Sequence, residues 1–105
     1  MSKSLQIPAE GLVLGALAWI VIDPLAPNWA IEQAPLGADR YAFALKKKRF
    51  TTGGDGEAEQ VFRRRVAALA RERGYRDYEI LEYSTGIESN VPIAQRVAHG
   101  IVQYR

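Results

Sequence analysis

From Gly11 to Ile22 the chain reads GLVLGALAWIVI, twelve positions without a polar side chain, and Asp23-Pro24-Leu25-Ala26-Pro27 closes the run. Apolar on every side, such a stretch predicts a helix buried against lipid or protein. Twelve helical residues rise only about 18 Å, against a hydrocarbon core of about 30 Å. Extending the segment back to Leu5 gives roughly 27 Å, with Pro8 and Glu10 interrupting it near one end. Trp19, near the other end, suits a membrane interface, and Lys3 on the leading side favours an N-terminus held inside with the following domain exported. The leading expectation is therefore a membrane anchor whose apolar residues are Leu12, Val13, Leu14, Leu17, Trp19, Ile20, Val21 and Ile22. A buried helix of a soluble domain and a cleaved signal peptide are the rivals. Ala16 and Ala18 lie inside the run, and Pro27 after Ala26 opposes cleavage there.

Beyond Pro27 the pattern changes to period two. Trp29, Ile31 and Gln33 alternate with Ala30, Glu32 and Ala34, and Tyr41, Phe43 and Leu45 with Ala42, Ala44 and Lys46. Two strands joined at Pro35–Asp39 read as a hairpin. Asp55 is placed to cap a helix whose first turn holds Glu57 and Glu59, and whose apolar stripe is Val61, Phe62, Val66, Leu69 and Ala70. Glu59 and Arg63 have ion-pair spacing, and Gly74 follows Arg71 and Arg73 as the stop. A third strand is expected over Tyr78–Ser84, a loop over 85–92, and a fourth strand over Ala94–Tyr104, where a helical spacing of four also fits. The expected fold is α+β: an N-terminal apolar helix within a segment of residues 1–27, then a small ββαββ domain over 28–105, an antiparallel sheet with one packed helix.

Composition narrows the chemistry. The 105 residues contain no cysteine, which excludes disulfides, thiolate metal sites, thiol nucleophiles and a lipid-acceptor cysteine. His99 is the single histidine, so the usual zinc hydrolase and His-paired triad patterns are missing. Glu79 and Glu82, three apart on a regular strand, would face opposite sides, Glu88 stands alone, and Ser84, Thr85 and Ser89 lack an evident base. The TTGGDGE stretch, residues 51–57, has no P-loop lysine and sets carboxylates where an anion would sit. Neither catalytic residues nor a metal or cofactor site is expected.

Charge adds little. Residues 36–105 carry thirteen Lys/Arg against nine Asp/Glu, a mildly basic balance well below that of a nucleic-acid binder. Lys46, Lys48, Arg63 and Arg64 are the candidate anion or partner contacts, although Arg63, Arg64 and Arg65 spread over about 200° of helix surface. Tyr75, Tyr78, Tyr83, Tyr104 and Trp29 suit a thin core or a recognition surface.

The stretches DPLAPNW, KRFTTGGDGEAEQVFRRR and GYRDYEILEYSTGIES resemble small uncharacterised envelope proteins of proteobacteria. That resemblance implies export and tethering of a compact α+β domain, without the acceptor cysteine of lipoprotein members, and it carries over no functional residue. The resulting expectation is a non-enzymatic protein of the bacterial inner membrane, with a periplasmic domain that binds or organises a protein partner. The alternative is a soluble cytoplasmic chain that self-associates through Leu12–Ile22, packed on the sheet or on a second copy, with its basic surface free for nucleic acid.

Overall fold

The computed structural model describes residues 18–48, 55–88 and 95–105. Within them the chain forms β1 (Trp19–Val21), β2 (Trp29–Gly37), β3 (Arg40–Lys47), α1 (Asp55–Arg73), β4 (Tyr78–Glu88) and β5 (Gln95–Tyr104). The five strands make one antiparallel sheet in the order β1-β2-β3-β5-β4. The order of elements is βββαββ, which corrects the expected ββαββ. The extra strand is the end of the run expected to be an N-terminal apolar helix: Trp19, Ile20 and Val21 pair with Gln33, Glu32 and Ile31. The β-branched tail Ile20-Val21-Ile22 suits a strand at least as well as a helix, and pairing with β2 decides the matter. The remainder of that expected helix, residues 11–17, lies outside the described residues.

The proline-rich break is a structured corner of the domain. Asp23 accepts a hydrogen bond from the Leu25 amide (2.9 Å) at one carboxylate oxygen and from Arg64 of α1 (2.9 Å) at the other. Ala26, inside this corner, belongs to the helix-side core. The sheet thus begins, at Trp19, before residue 28, where the sequence pattern placed the start of the small domain.

One face of the sheet packs α1. Trp29 and Ile31 from β2, Tyr41, Phe43 and Leu45 from β3, and Ala98, Val102 and Tyr104 from β5 meet Ala58, Val61, Phe62, Val66, Leu69 and Ala70 from the helix. Gly100 sits in register between Phe43 and Tyr83, and the Phe62 ring settles over it, edge-on to Phe43 (5.8 Å) and stacked on Tyr83 (4.8 Å). Tyr104 anchors the other end. It is buried, donates its hydroxyl proton to the Val66 carbonyl (2.8 Å) and meets the Tyr41 and Tyr75 rings. Burial pushes the Tyr104 hydroxyl well above the usual phenol range, a rise partly offset by Arg65. Tyr75 is pushed up to about 12, by burial first and then by its hydrogen bonds with Asp39 and Tyr41.

Turns follow local stereochemistry. Ala38 and Asp39, between β2 and β3, both have positive φ (54° and 61°), as a two-residue type I′ loop requires. Gly74 (φ 77°) ends α1, and the Tyr75 amide reaches back to the Ala70 carbonyl (2.9 Å) in a Schellman closure. Two sequence expectations on β4 need correction. The strand runs on through Glu88, so residues 85–88 are strand rather than loop. A bulge between Ile80 and Glu82 also shifts the register, pairing Glu79 with Gln103 and Glu82 with Ile101. Both glutamates therefore share the face away from α1, because the extra residue cancels the alternation that would have separated them.

Candidate functional site

The strongest site feature follows from where the helix lies. α1 crosses β3, β5 and β4, leaving the β1 margin beyond its cover. β1 is an edge strand three residues long, and its outer side has no partner strand among the described residues. Trp19 and Ile20 are exposed on it, followed by Ile22 (79% exposed) and Leu25 (76%) on the corner. Trp19 and Val21 share the α1 side of the sheet, where only Val21 packs against the core, and Ile20 points to the other face. Between this margin and the start of β2 lies an open hollow of about 80 Å³, with Ile20, Ile22, Ala26, Pro27 and Trp29 among its walls and Lys48 at one side.

Trp29 is almost wholly buried, and its indole N–H finds no acceptor among the described residues. The Lys47 ammonium stands 5.9 Å from the Trp29 ring centre and is itself buried, 3.4 Å from Glu57 in the first turn of α1. The Lys48 amide donates to the Asn28 carbonyl (2.6 Å), tying the end of β3 to the start of β2 behind the hollow. The floor of the margin is thus fixed from both sides, while its rim is apolar and exposed. Water is a poor solvent for such a rim.

The residues expected to be the anchor divide accordingly. Leu12, Val13, Leu14 and Leu17 lie outside the described residues; Trp19, Ile20, Val21 and Ile22 form the edge strand and its exit. Among the described residues no helix is long and apolar enough to cross a membrane.

The candidate anion contacts are dispersed. Lys46 is on the face away from α1 and Lys48 is exposed at the end of β3. Arg63 is held by Glu59 at 2.9 Å, the i,i+4 pair read from the sequence, and Arg64 by Asp23 at 2.9 Å. Arg65 is buried along its stem and paired with Glu72 at 2.6 Å. Arg63, Arg64 and Arg65 therefore each already face a carboxylate.

The bulge produces a grouping that spacing did not show. Ser84 stands opposite His99, and Glu82 lies next along β4 on the same face. No hydrogen bond joins Ser84 to His99, and Ser84 is exposed on an open sheet surface. Thr85 lies on the other face, Glu88 ends β4, and Ser89 is outside the described residues. Among the described residues no three His, Asp or Glu side chains converge as a metal cluster would. The sequence signal that could have revealed the β1 site is the β-branched triplet Ile20-Val21-Ile22 immediately before an Asx-Pro turn, a strand ending rather than a helix ending.

No family model, curated protein or solved structure matches this chain.

Proposed function

We propose that this chain is a non-enzymatic binding domain that takes a protein partner along the β1 margin, the partner contributing an extended apolar segment. The observation carrying this reading is the exposed set Trp19, Ile20, Ile22 and Leu25 beside an edge strand over a fixed floor. An edge strand offers backbone groups for a further strand, and alternating side-chain sites beside it give selectivity. Anchoring fits the geometry less well. With β1 committed to the sheet, the stretch from Leu5 to Ala18 would rise about 21 Å as a helix, short of the ~30 Å hydrocarbon core. A basic nucleic-acid surface is disfavoured by the carboxylates already facing Arg63 and Arg64.

The test is a photo-crosslinking residue placed at Ile20 or Ile22 in the full chain, expressed in cells, with Arg71 as an exposed control on α1. A protein adduct of one defined size at positions 20 and 22, absent at 71 and lost when Leu25→Lys is added, is the expected result. Equal adducts at all three positions would contradict the proposal.

A second reading has its own observation. The same side chains follow directly on an uncharged run, an arrangement suited to shallow seating on a lipid surface. Vesicle flotation of the full chain, with Ile22→Lys beside it, separates the two: co-flotation abolished by the substitution favours lipid over protein.

A further inference from the structure

The hollow at the β1 margin has a size and a charge that select what enters it. Register turns Ile20, Ala30 and Lys46 to the face away from α1, because their neighbours Val21, Ile31 and Leu45 pack on the helix side. Ala30 and Ile22 both line the hollow, and Ala30 is held in the ladder opposite Lys46. The depth of the hollow therefore comes from a short side chain on a paired strand. Its volume of about 80 Å³ is roughly half that of the ~150 Å³ cavity that accepts a benzene ring. A branched aliphatic side chain can be seated there whole, and an aromatic ring cannot.

Two charged residues stand on its wall, Asp23 and Lys48. Asp23 is committed, since its carboxylate oxygens accept from the Leu25 amide and from Arg64. Lys48 is exposed, and its ammonium meets no carboxylate among the described residues. Glu32 and Lys46, the nearest charges on the same face of β2 and β3, are engaged already. The uncommitted charge at the mouth of the hollow is therefore positive. An apolar seat beside a free cation is complementary to an aliphatic side chain with a carboxylate close by.

We propose that the hollow seats one valine, isoleucine or leucine side chain of an extended partner segment, which carries an aspartate or glutamate within two positions of it to meet Lys48. In an extended segment, residues two apart project to the same side about 7 Å apart, a span that the flexible four-carbon stem of lysine can cover. This inference rests on the β1-margin reading and adds to it the chemistry of the partner, acidic and aliphatic rather than basic or aromatic.

The probe is a library of random nine-residue peptides displayed on phage, selected on the immobilised full chain and then made synthetically. The selected peptides should share an aliphatic residue with an acid within two positions. Ala30→Leu, which fills the hollow, should weaken their binding at least ~10-fold, the loss of one buried aliphatic side chain. Lys48→Ala should weaken it about 2- to 5-fold, as for an exposed ion pair, and selection on Lys48→Glu should turn the acidic preference into a basic one. Lys48 is exposed, so these variants keep the test valid if Ala30→Leu unfolds. The margin itself is checked separately by a photo-crosslinking residue at Trp19, which is exposed on β1 and does not line the hollow, with Arg71 as control. Peptides that label position 19 but lack the acid, or bind Ala30→Leu and Lys48→Ala as well as the unchanged chain, would overturn this inference and leave the margin standing. No selected peptide, or none that labels position 19 over position 71, would overturn both. Dimerisation of the full chain, or its binding to phosphatidylcholine vesicles, abolished by Ala30→Leu would also overturn the inference, the hollow then taking a second copy or an acyl chain.

Discussion

Gly100 shows most sharply how one residue sets the packing of this domain. A Cβ there would overlap the Phe62 ring, which occupies the space between Phe43 and Tyr83. Gly100→Ala should therefore cost about 1–3 kcal/mol through overpacking, read as a lower urea midpoint at unchanged slope. Ala38 is a residue in the opposite position, holding a positive φ (54°) without a side chain that favours it. Ala38→Gly should raise stability by about 1 kcal/mol in the same experiment. The tyrosines give a pH dependence. Tyr75 and Tyr104 both ionise above the ordinary phenol value in the folded chain, so above pH 10 the unfolded chain releases protons that the native chain keeps. Their contribution is whole below that pH and is lost as pH rises towards 12. Urea midpoints should fall across this window, and Tyr104→Phe, which removes one of the two groups, should make the fall shallower. Below pH 9 the same variant should be less stable by about 1 kcal/mol, because the hydrogen bond that Tyr104 adds at the Val66 carbonyl is lost.

At the scale of elements, β1 and its corner decide how the first third of the chain is understood. Asp23 joins the corner to α1 through Arg64 and holds its own turn through the Leu25 amide. Asp23→Ala should lower stability by about 1–2 kcal/mol, and Arg64→Ala by less, since the turn hydrogen bond survives the second change. The elements β2, β3 and α1 were legible because each shows a clean period and local punctuation, whereas β5 fitted a helical spacing as well and only its β-branched residues favoured a strand. Trp29, Ile31 and Gln33 do face α1, and Gly74 does close the helix at positive φ. β1 was not legible as a strand, since four consecutive apolar residues carry no period and length alone favoured a helix. The bulge at Leu81 was hidden for a different reason. It depends on Tyr83 turning in towards Phe62 and Gly100, a contact made by residues far apart in sequence. Of the candidate site, Trp19, Ile20, Val21 and Ile22 were legible as apolar residues, and their pairing with β2 was not, because the partner lies about ten residues further along the chain.

Across the whole molecule, the end of the apolar run, Trp19–Val21, is an edge strand paired with β2, and Trp19, Ile20 and Ile22 stay exposed along that margin. The charges belong to this same account. Arg63, Arg64 and Arg65 each face a carboxylate, so the basic balance of the second part of the chain is locally compensated on the helix rather than gathered into a patch. The central claim is that Trp19–Val21 are part of the folded domain and present its margin. Amide hydrogen exchange of the full chain, resolved residue by residue in aqueous buffer, tests it most directly. The account predicts that those Trp19–Val21 amides that point to β2 are protected together with their β2 partners Ile31–Gln33, and lose protection when Asp23→Ala loosens the corner, while amides on the open side of β1 exchange freely. Exchange of 19–21 at the rate of an unstructured peptide, with β2 to β5 still protected, would contradict it and remove the binding margin with it.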